Sequence, residues 1–259
     1  MRLGVIGGGG WLGGAIVGAV LDAGLVRAED VSLSYRSVRP DRFPGAFWTM
    51  DSQALADRSD VIIVSVRPAD WPSLAVDAHG KLVISMMAGI RLAAIADHHG
   101  TSRAVRTMPN AAAELGKSYT PWVATAETSA EDRGVVRAIF DACGQQDEVG
   151  SERDIDYLTG LAGSGPAFPA LLGAAMMRAA IAHGLPPEIA QRAAKMVLAG
   201  AGPLIERRGE PLDKTVQAFL AYRGTTAAGI EAMRAAGFDE AVRKGLEAAF
   251  EKSISMGGE

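Results

Sequence analysis

Cysteine is nearly absent: Cys143 stands alone among 259 residues. That excludes an internal disulfide framework and leaves no cysteine-based zinc site. Aromatic residues are scarce as well, at 6%. Neither sign of charge dominates, with 26 Lys and Arg against 30 Asp and Glu and a net charge of −4. The sequence pI is near 5.7, so the basic footprint of a generic nucleic-acid binder is missing. A mixture of 48% hydrophobic and 22% charged residues rules out wholesale disorder. Glycine is what the chain has in quantity, at 31 residues. Such an excess in a globular chain points to places where backbone must approach something closely.

Long uncharged runs are few. Residues 1–25 have the outline of a signal peptide, with Arg2 followed by an uncharged run to Leu21. Gly7, Gly8, Gly9, Gly10, Gly13 and Gly14 would make a poor apolar helix, and no small-x-small cleavage site follows. Residues 157–177 carry no charged side chain and are long enough to cross a bilayer. Gly160, Gly163, Gly165, Pro166 and Pro169 interrupt them, and no second span accompanies them. The expectation is a buried helix pair joined by a tight turn, in a cytoplasmic protein with no membrane or nucleic-acid partner.

The chain divides near residue 150. In the first part, strands are expected over 3–6, 31–35, 61–66, 82–85 and 105–108, with a weaker one over 122–124. Helices are expected over 12–23, 52–57 and 129–142, the last with Glu131 and Asp132 in its first turn. The run from Val61 to Val66 shows no alternation, as in a parallel strand buried on both faces. In the second part no strand is expected. Helices are read over 155–162, 166–183, 187–205, 212–220, 226–235 and 238–253. Pro166 and Pro187 stand at helix starts, and Gly184, Gly209 and Gly237 at helix ends.

The first strand runs into Gly8-x-Gly10-x-x-Gly13, followed by a helix. A first glycine allows a tight turn, a second lets backbone approach a pyrophosphate, and a third lets the helix pack on the sheet. Gly8, Gly10, Trp11, Leu12 and Gly13 are the candidate cofactor contacts of this loop. Gly7-x-Gly9 followed by Gly13 is an equally legible, wider register. The fold class is therefore α/β. An N-terminal Rossmann-type dinucleotide-binding domain, residues 1–150, precedes an all-α C-terminal domain, residues 151–259.

The end of the second strand selects the cofactor. An NAD-preferring loop places an acid there for the ribose 2′-hydroxyl. Here Tyr35 is followed by Arg36, Ser37 and Arg39, while Glu29 and Asp30 lie at the strand's other end. Arg36 and Ser37 suit a 2′-phosphate, so NADPH is expected.

Further motifs follow: Asp60 to Pro68 (DVIIVSVRP), Ser85 to Ile90 (SMMAGI), Arg106 to Asn110 (RTMPN), Leu161 to Phe168 (LAGSGPAF) and Gly224 to Thr226 (GTT). In this order the chain resembles the pyrroline-5-carboxylate reductase family over nearly its whole length. The resemblance implies NADPH-dependent reduction of the cyclic imine 1-pyrroline-5-carboxylate to L-proline, a step of proline biosynthesis. It implies that residues 151–259 form a dimerisation and substrate domain, in a homodimer or higher homo-oligomer. Val66, Arg67, Pro68, Ala88 and Gly89 would face the cofactor beyond the carboxyl ends of their strands. Asn110 would offer a donor and an acceptor near the nicotinamide, or cap a helix. The turn at Gly163 to Pro166 would face an anion or join two packed helices. Thr226 would be the catalytic residue, bonding the ring nitrogen, with Gly224 and Thr225 holding the carboxylate of the cyclic imine. No metal is implied, and His98 and His99 are expected to be a solvated pair.

The chain also departs from the family pattern. Ala111 and Ala112 replace a Thr-Pro pair after MPN. The segment from Val216 to Gly224 is about one helical turn longer than the family's. Tyr222 and Arg223 stand where Pro-Gly would be. Arg223 would clamp the substrate carboxylate, or point to solvent or to a partner chain. These changes keep two alternatives open: a paralogue acting on another imine or a keto acid, and a non-catalytic NADP-binding sensor.

Overall fold

The computed structural model describes residues 1–257 as two compact units: Met1–Gly165 together with the chain from Leu246 onward, and Pro166–Gly245. The first unit is built on one eight-stranded sheet. Its strands are β1 (Leu3–Ile6), β2 (Val31–Ser34), β3 (Phe47–Thr49), β4 (Val61–Val64), β5 (Leu82–Ser85), β6 (Arg103–Thr107), β7 (Ser118–Ala124) and β8 (Gly144–Glu148). They lie in the order β3-β2-β1-β4-β5-β6-β7-β8, parallel throughout except for the β6–β7 pair. The order reverses between β1 and β4, which opens a crevice at their carboxyl ends.

Helices α1 (Trp11–Asp22) and α4 (Ala130–Asp141) contribute to the core on one face of the sheet, and α2 (Ser52–Asp57) and α3 (Leu92–His99) to the core on the other. In β4, Val61 and Ile63 enter the first core, and Ile62 and Val64 the second. That two-sided burial is why the strand shows no polar alternation. The start of α4 is fixed by a capping box in which Ser129 and Asp132 bond each other's backbone amides.

The expected strands are present, with three additions. β3 and β8 are new, and β7 begins at Ser118, well before residue 122. β8 is Gly-Gln-Gln-Asp-Glu, a polar edge strand paired to β7 and anchored by polar side-chain bonds, with Trp122 Nε1–H on Gln146 Oε1 at 2.7 Å and Arg133 on Glu148 at 2.6 Å, so no hydrophobic periodicity marks it. His99 also differs from expectation: it is buried, not solvated. Its Nε2 takes the Trp71 Nε1–H at 3.1 Å and its Nδ1 faces the Val76 carbonyl at 3.0 Å. A paired imidazole can be buried where a lone one resists it.

Beyond the sheet, α5 (Glu152–Leu158) leads into a π-helical turn, Thr159–Gly163. Arg106 lies wholly buried on β6, donating to Asp156 Oδ1 at 2.6 Å and Glu152 Oε1 at 3.1 Å. Asp156 also receives Arg91 at 2.8 Å and the Ser253 hydroxyl at 3.0 Å. Ser253 lies on α10 (Phe238–Met256), so this charge network ties α5, β6 and the end of α10 together.

The second unit contains α6 (Ala167–Ala182), α7 (Pro187–Arg208), α8 (Leu212–Ala221), α9 (Thr225–Ala235) and the start of α10. The helices match the expected set within a few residues. Of the uncharged stretch 157–177, expected to be a buried pair, only Gly160 and Gly173 are buried within the chain. Between Pro166 and Gly245, only Gly173, Ala190, Ala194 and Ala227 are buried. Leu171, Met196, Val197 and Leu212 are more than half exposed. The run Glu152–Ala182 is long and apolar enough to cross a membrane by length and composition. In the structure it is two helices separated by the π turn and Pro166.

Candidate active site

A cleft of about 540 Å³ opens at the carboxyl ends of β1, β2 and β4. Gly7, Gly9 and Gly10 form one wall, and Ser34 to Val38 with Pro40 a second. Ser65, Val66, Arg67, Asp70 and Leu74 form a third, with Met50 and Ser52 nearby. Apolar Ile6, Val38, Met50, Val66 and Leu74 give it surfaces for a flat base, and Arg36 and Arg67 supply positive charge.

The glycine loop settles its own register. Gly7 has φ +82°, and a Cβ there would lie 2.3 Å from the Ser65 carbonyl oxygen. The Gly7 amide donates to the Ser34 hydroxyl at 2.9 Å, and Gly10 N–H returns to the Gly7 carbonyl at 2.9 Å. A Cβ on Gly13 would lie 2.6 Å from that same carbonyl oxygen. Gly7 is thus the turn residue and Gly13 the one that lets α1 pack on the turn, which is the wider register. Gly8 is buried against Leu33 and does not line the cleft, whereas Gly10 does. Gly10 is the N-cap of α1 with no side-chain cap. The amides of Trp11, Leu12 and Gly13 lack intrahelical acceptors there, as at any helix start. Trp11 is largely exposed, its indole N–H bonded to Glu114.

The other expected contacts divide. Arg36 and Ser37 line the cleft, as do Val66 and Arg67. Pro68 opens a short 3-10 turn, Pro68–Ser73, that carries Asp70 toward the cleft and Trp71 into the core. Ala88 and Gly89 lie outside it. Gly89 has φ +76° and is covered by Met256, leaving 2.7 Å between an added Cβ and the Met256 Cβ. Asn110 takes its capping role: its Oδ1 accepts from Ala112 N at 2.8 Å and its Nδ2 donates to the Ala162 carbonyl at 2.9 Å. Gly165 packs on that side chain, and Gly163 packs on Met108. The GSGP turn therefore joins packed segments.

Sequence reasoning missed Ser34 and Asp70. Ser34 ends a buried strand, where its hydroxyl reads as filler. Asp70 carries only one cue, its i,i+3 spacing from Arg67.

In the second unit, Gly224 is the N-cap of α9, again without a side-chain cap, and Thr225 and Thr226 occupy its first turn. Thr226 is exposed. Arg223 precedes them at φ +52°, one of two non-glycine residues with positive φ among the described residues, and is exposed beside the almost free Tyr222 ring. Among the described residues there is no group of His, Cys, Asp and Glu that could hold a metal.

Two family models match the chain. One, described as pyrroline-5-carboxylate reductase dimerisation, covers residues 152–256. The other, described as NADP oxidoreductase coenzyme F420-dependent, covers residues 2–89. The pyrroline-5-carboxylate reductase of Thermus thermophilus is 32% identical over 99% of both chains. Pyrroline-5-carboxylate reductase 2 of Bacillus subtilis is 29% identical over 98% of this chain and 95% of its own. Among solved structures, a pyrroline-5-carboxylate reductase from Coxiella burnetii superposes with a TM-score of 0.88 at 25% identity, over 98% of each chain. That of Plasmodium falciparum, solved with NADP bound, has the same fold, with a TM-score of 0.81 at 24% identity over 99% of this chain and 98% of its own. A glycine-turn cleft on a doubly wound sheet and a relative 32% identical over 99% of both chains meet in one conclusion: this chain belongs to the pyrroline-5-carboxylate reductase family.

Proposed function

We propose that this chain reduces 1-pyrroline-5-carboxylate to L-proline with NADPH. The observation that carries the reading is the cleft, where an uncapped helix start and Arg36 flank a slot with apolar walls, in a chain that resembles reductases of this imine along its whole length. The cleft suits a dinucleotide: glycines at Gly7, Gly9 and Gly10 bring bare backbone to its wall beside Arg36 and the apolar Ile6 and Val66. The amides of Trp11, Leu12 and Gly13 would hold the pyrophosphate, and Arg36 with Ser37 the 2′-phosphate. When bound, the reduced nicotinamide supplies the hydride that reaches the imine carbon. Little else is required of side chains, because a protonated imine is already electrophilic and positioning does much of the work.

Thr226 would bond the ring nitrogen, and the backbone amides of Gly224 and Thr225 would hold the carboxylate at the start of α9. Arg223 would add a guanidinium to that carboxylate. Residues 1–150 thus serve the cofactor and 151–259 the substrate and the dimer contact. The exposed apolar helix faces of the second unit support a homodimer, since four helices that bury four small residues within the chain need a further surface. A cytoplasmic setting fits the single buried thiol.

Consumption of NADPH dependent on 1-pyrroline-5-carboxylate tests the reading. Absence of turnover with this imine, alongside turnover of another, moves the chain to the paralogue reading that Tyr222 and Arg223 favour. Thr226→Ala is expected to lower kcat/KM by about tenfold or more for loss of a bond to a charged group, with NADPH affinity unchanged.

A further inference from the structure

The acid that reads a ribose 2′-hydroxyl in dinucleotide folds normally ends the second strand. Arg36 and Ser37 occupy that place here. A carboxylate nevertheless reaches the same corner of the cleft from a different element. Asp70, on the turn after β4, receives Arg67 Nε on Oδ2 at 2.9 Å and Arg67 Nη2 on Oδ1 at 3.4 Å. Its Oδ2 also receives Arg36 Nη1 at 3.5 Å. All three side chains line the cleft.

The position of Asp70 is fixed. Its turn is pinned by the buried Trp71 and its bond to His99, and the Ser73 hydroxyl donates to the Asp70 carbonyl at 2.8 Å. The two guanidinium groups are the mobile partners, with side chains 79% and 70% exposed against 41% for Asp70.

We propose that Asp70 sets the choice between phosphorylated and unphosphorylated adenosine ribose, by competing with a 2′-phosphate for Arg36 and Arg67 and by accepting a free 2′-hydroxyl. The proposal rests on the reading of the cleft as a nicotinamide-dinucleotide site. A phosphate entering between the arginines gains charge-assisted bonds but must displace or face the Asp70 carboxylate. An unphosphorylated ribose brings no charge and offers Asp70 a donor. The net effect is a restrained preference for NADPH, with NADH still accepted.

The test measures dissociation constants of NADPH, NADH, adenosine 2′,5′-bisphosphate and 5′-AMP, without imine and at fixed ionic strength, for the wild-type chain, Asp70→Asn and Asp70→Ala. Both substitutions are expected to tighten the two 2′-phosphorylated ligands by about fivefold, the size left to one screened charge at the cleft surface. They are expected to weaken NADH and 5′-AMP, so that the phosphorylated-to-unphosphorylated ratio moves by about tenfold. A structural role for Asp70 would shift all four ligands together, and an unchanged ratio overturns the proposal. A ratio that moves the other way also overturns it, because Asp70 would then be orienting the arginines for phosphate. Failure of the wild-type chain to bind any of the four overturns the reading of the cleft itself, and the proposal with it.

Discussion

The assignment of Gly7 as the turn residue predicts an ordered series of alanine variants. At Gly24 φ is +67° and nothing lies within 4 Å of an added Cβ, so Gly24→Ala introduces backbone strain alone. At Gly13 an added Cβ would meet the Gly7 carbonyl oxygen at 2.6 Å and its carbon at 3.2 Å without positive φ, so Gly13→Ala introduces a clash alone. Gly7→Ala introduces both, with φ +82° and contacts of 2.3 and 3.0 Å to the Ser65 carbonyl oxygen and carbon. The left-handed conformation costs an L residue roughly 1–2 kcal/mol. Overpacking costs about 1–3 kcal/mol, toward the upper end where the obstacle is backbone. Every Gly→Ala change also removes unfolded-chain freedom, which returns about 0.4–1 kcal/mol in each case. Net destabilisation of about 0.5–1 kcal/mol is expected at Gly24, about 1–2 at Gly13 and about 2–4 at Gly7. Urea denaturation of the three variants gives the order, and NADPH titration gives its functional side. Gly24→Ala binds as the wild type does, while Gly7→Ala, which must move the turn, loses binding. A Gly7→Ala protein no less stable than Gly24→Ala would refute the assignment, and with it the wider register.

Three other outcomes follow from buried groups. Burial holds the His99 imidazole below its usual 6.5, its bond to Val76 and the neighbouring His98 having smaller effects. The folded state therefore binds fewer protons than the unfolded one, so stability is complete above about pH 6.5 and falls as pH drops through and below that value. His99→Gln is expected to flatten this slope in urea titrations between about pH 7.5 and about pH 5, and an equal slope in both proteins refutes the assignment. Arg106→Leu leaves Glu152 without its inner partner and Asp156 with Arg91 and Ser253 alone. A loss of about 3–5 kcal/mol is expected, and a loss below about 1 kcal/mol would show that the network relaxes around the gap. Burial pushes the Cys143 thiol up to about 12, so the folded chain is expected to resist a thiol reagent at about pH 8 and to react once denatured. Rapid labelling of the native protein counts against the burial.

The strands and helices were legible because local chemistry carries them. Unalternated apolar runs mark β1, β4 and β5, and Pro187 with Gly209 brackets α7. What escaped needed tertiary information. β8 holds its place through backbone pairing and polar side-chain bonds to β7 and α4, which leave no trace in the hydrophobic pattern. His99 reads as polar in sequence, and only the Trp71 indole beside it makes burial tolerable. The helices of the second unit were placed within a few residues, while the stretch 157–177, read as buried, is mostly uncovered within the chain. Periodicity reports which face is apolar but not which molecule covers it. The cleft was legible at Gly10, Arg36, Ser37, Val66 and Arg67, all at strand ends or on the glycine loop. Asp70 was not, because its partner Arg36 is 34 residues away.

The MPN and GSGP motifs read in sequence either as ligand-binding segments or as a cap and a packed turn, and the structure gives both the second basis. Met108 packs where a Cβ on Gly163 would come within 2.8 Å of its Cγ. The Asn110 side chain fills the space where a Cβ on Gly165 would come within 3.1 Å of its Cγ. Asn110 then fastens the joint, with one amide atom on the Ala112 N–H and the other on the Ala162 carbonyl. Arg106, at the head of the same motif, anchors α5 from below through Asp156 and Glu152. The two motifs are thus halves of one packed joint between the sheet and the segment Thr159–Gly163, and each restricts the other. A larger residue at Gly163 requires a smaller one at Met108, and loss of the Asn110 amide strands the Ala112 N–H and leaves the Ala162 carbonyl with the Gly165 amide alone. Coupling of this kind appears as non-additivity: Gly163→Ala with Met108→Ala is expected to cost less than the sum of the two single changes. Motif specificity here reports, at the least, a packed joint that holds the segments around Asn110 and Gly163 in register.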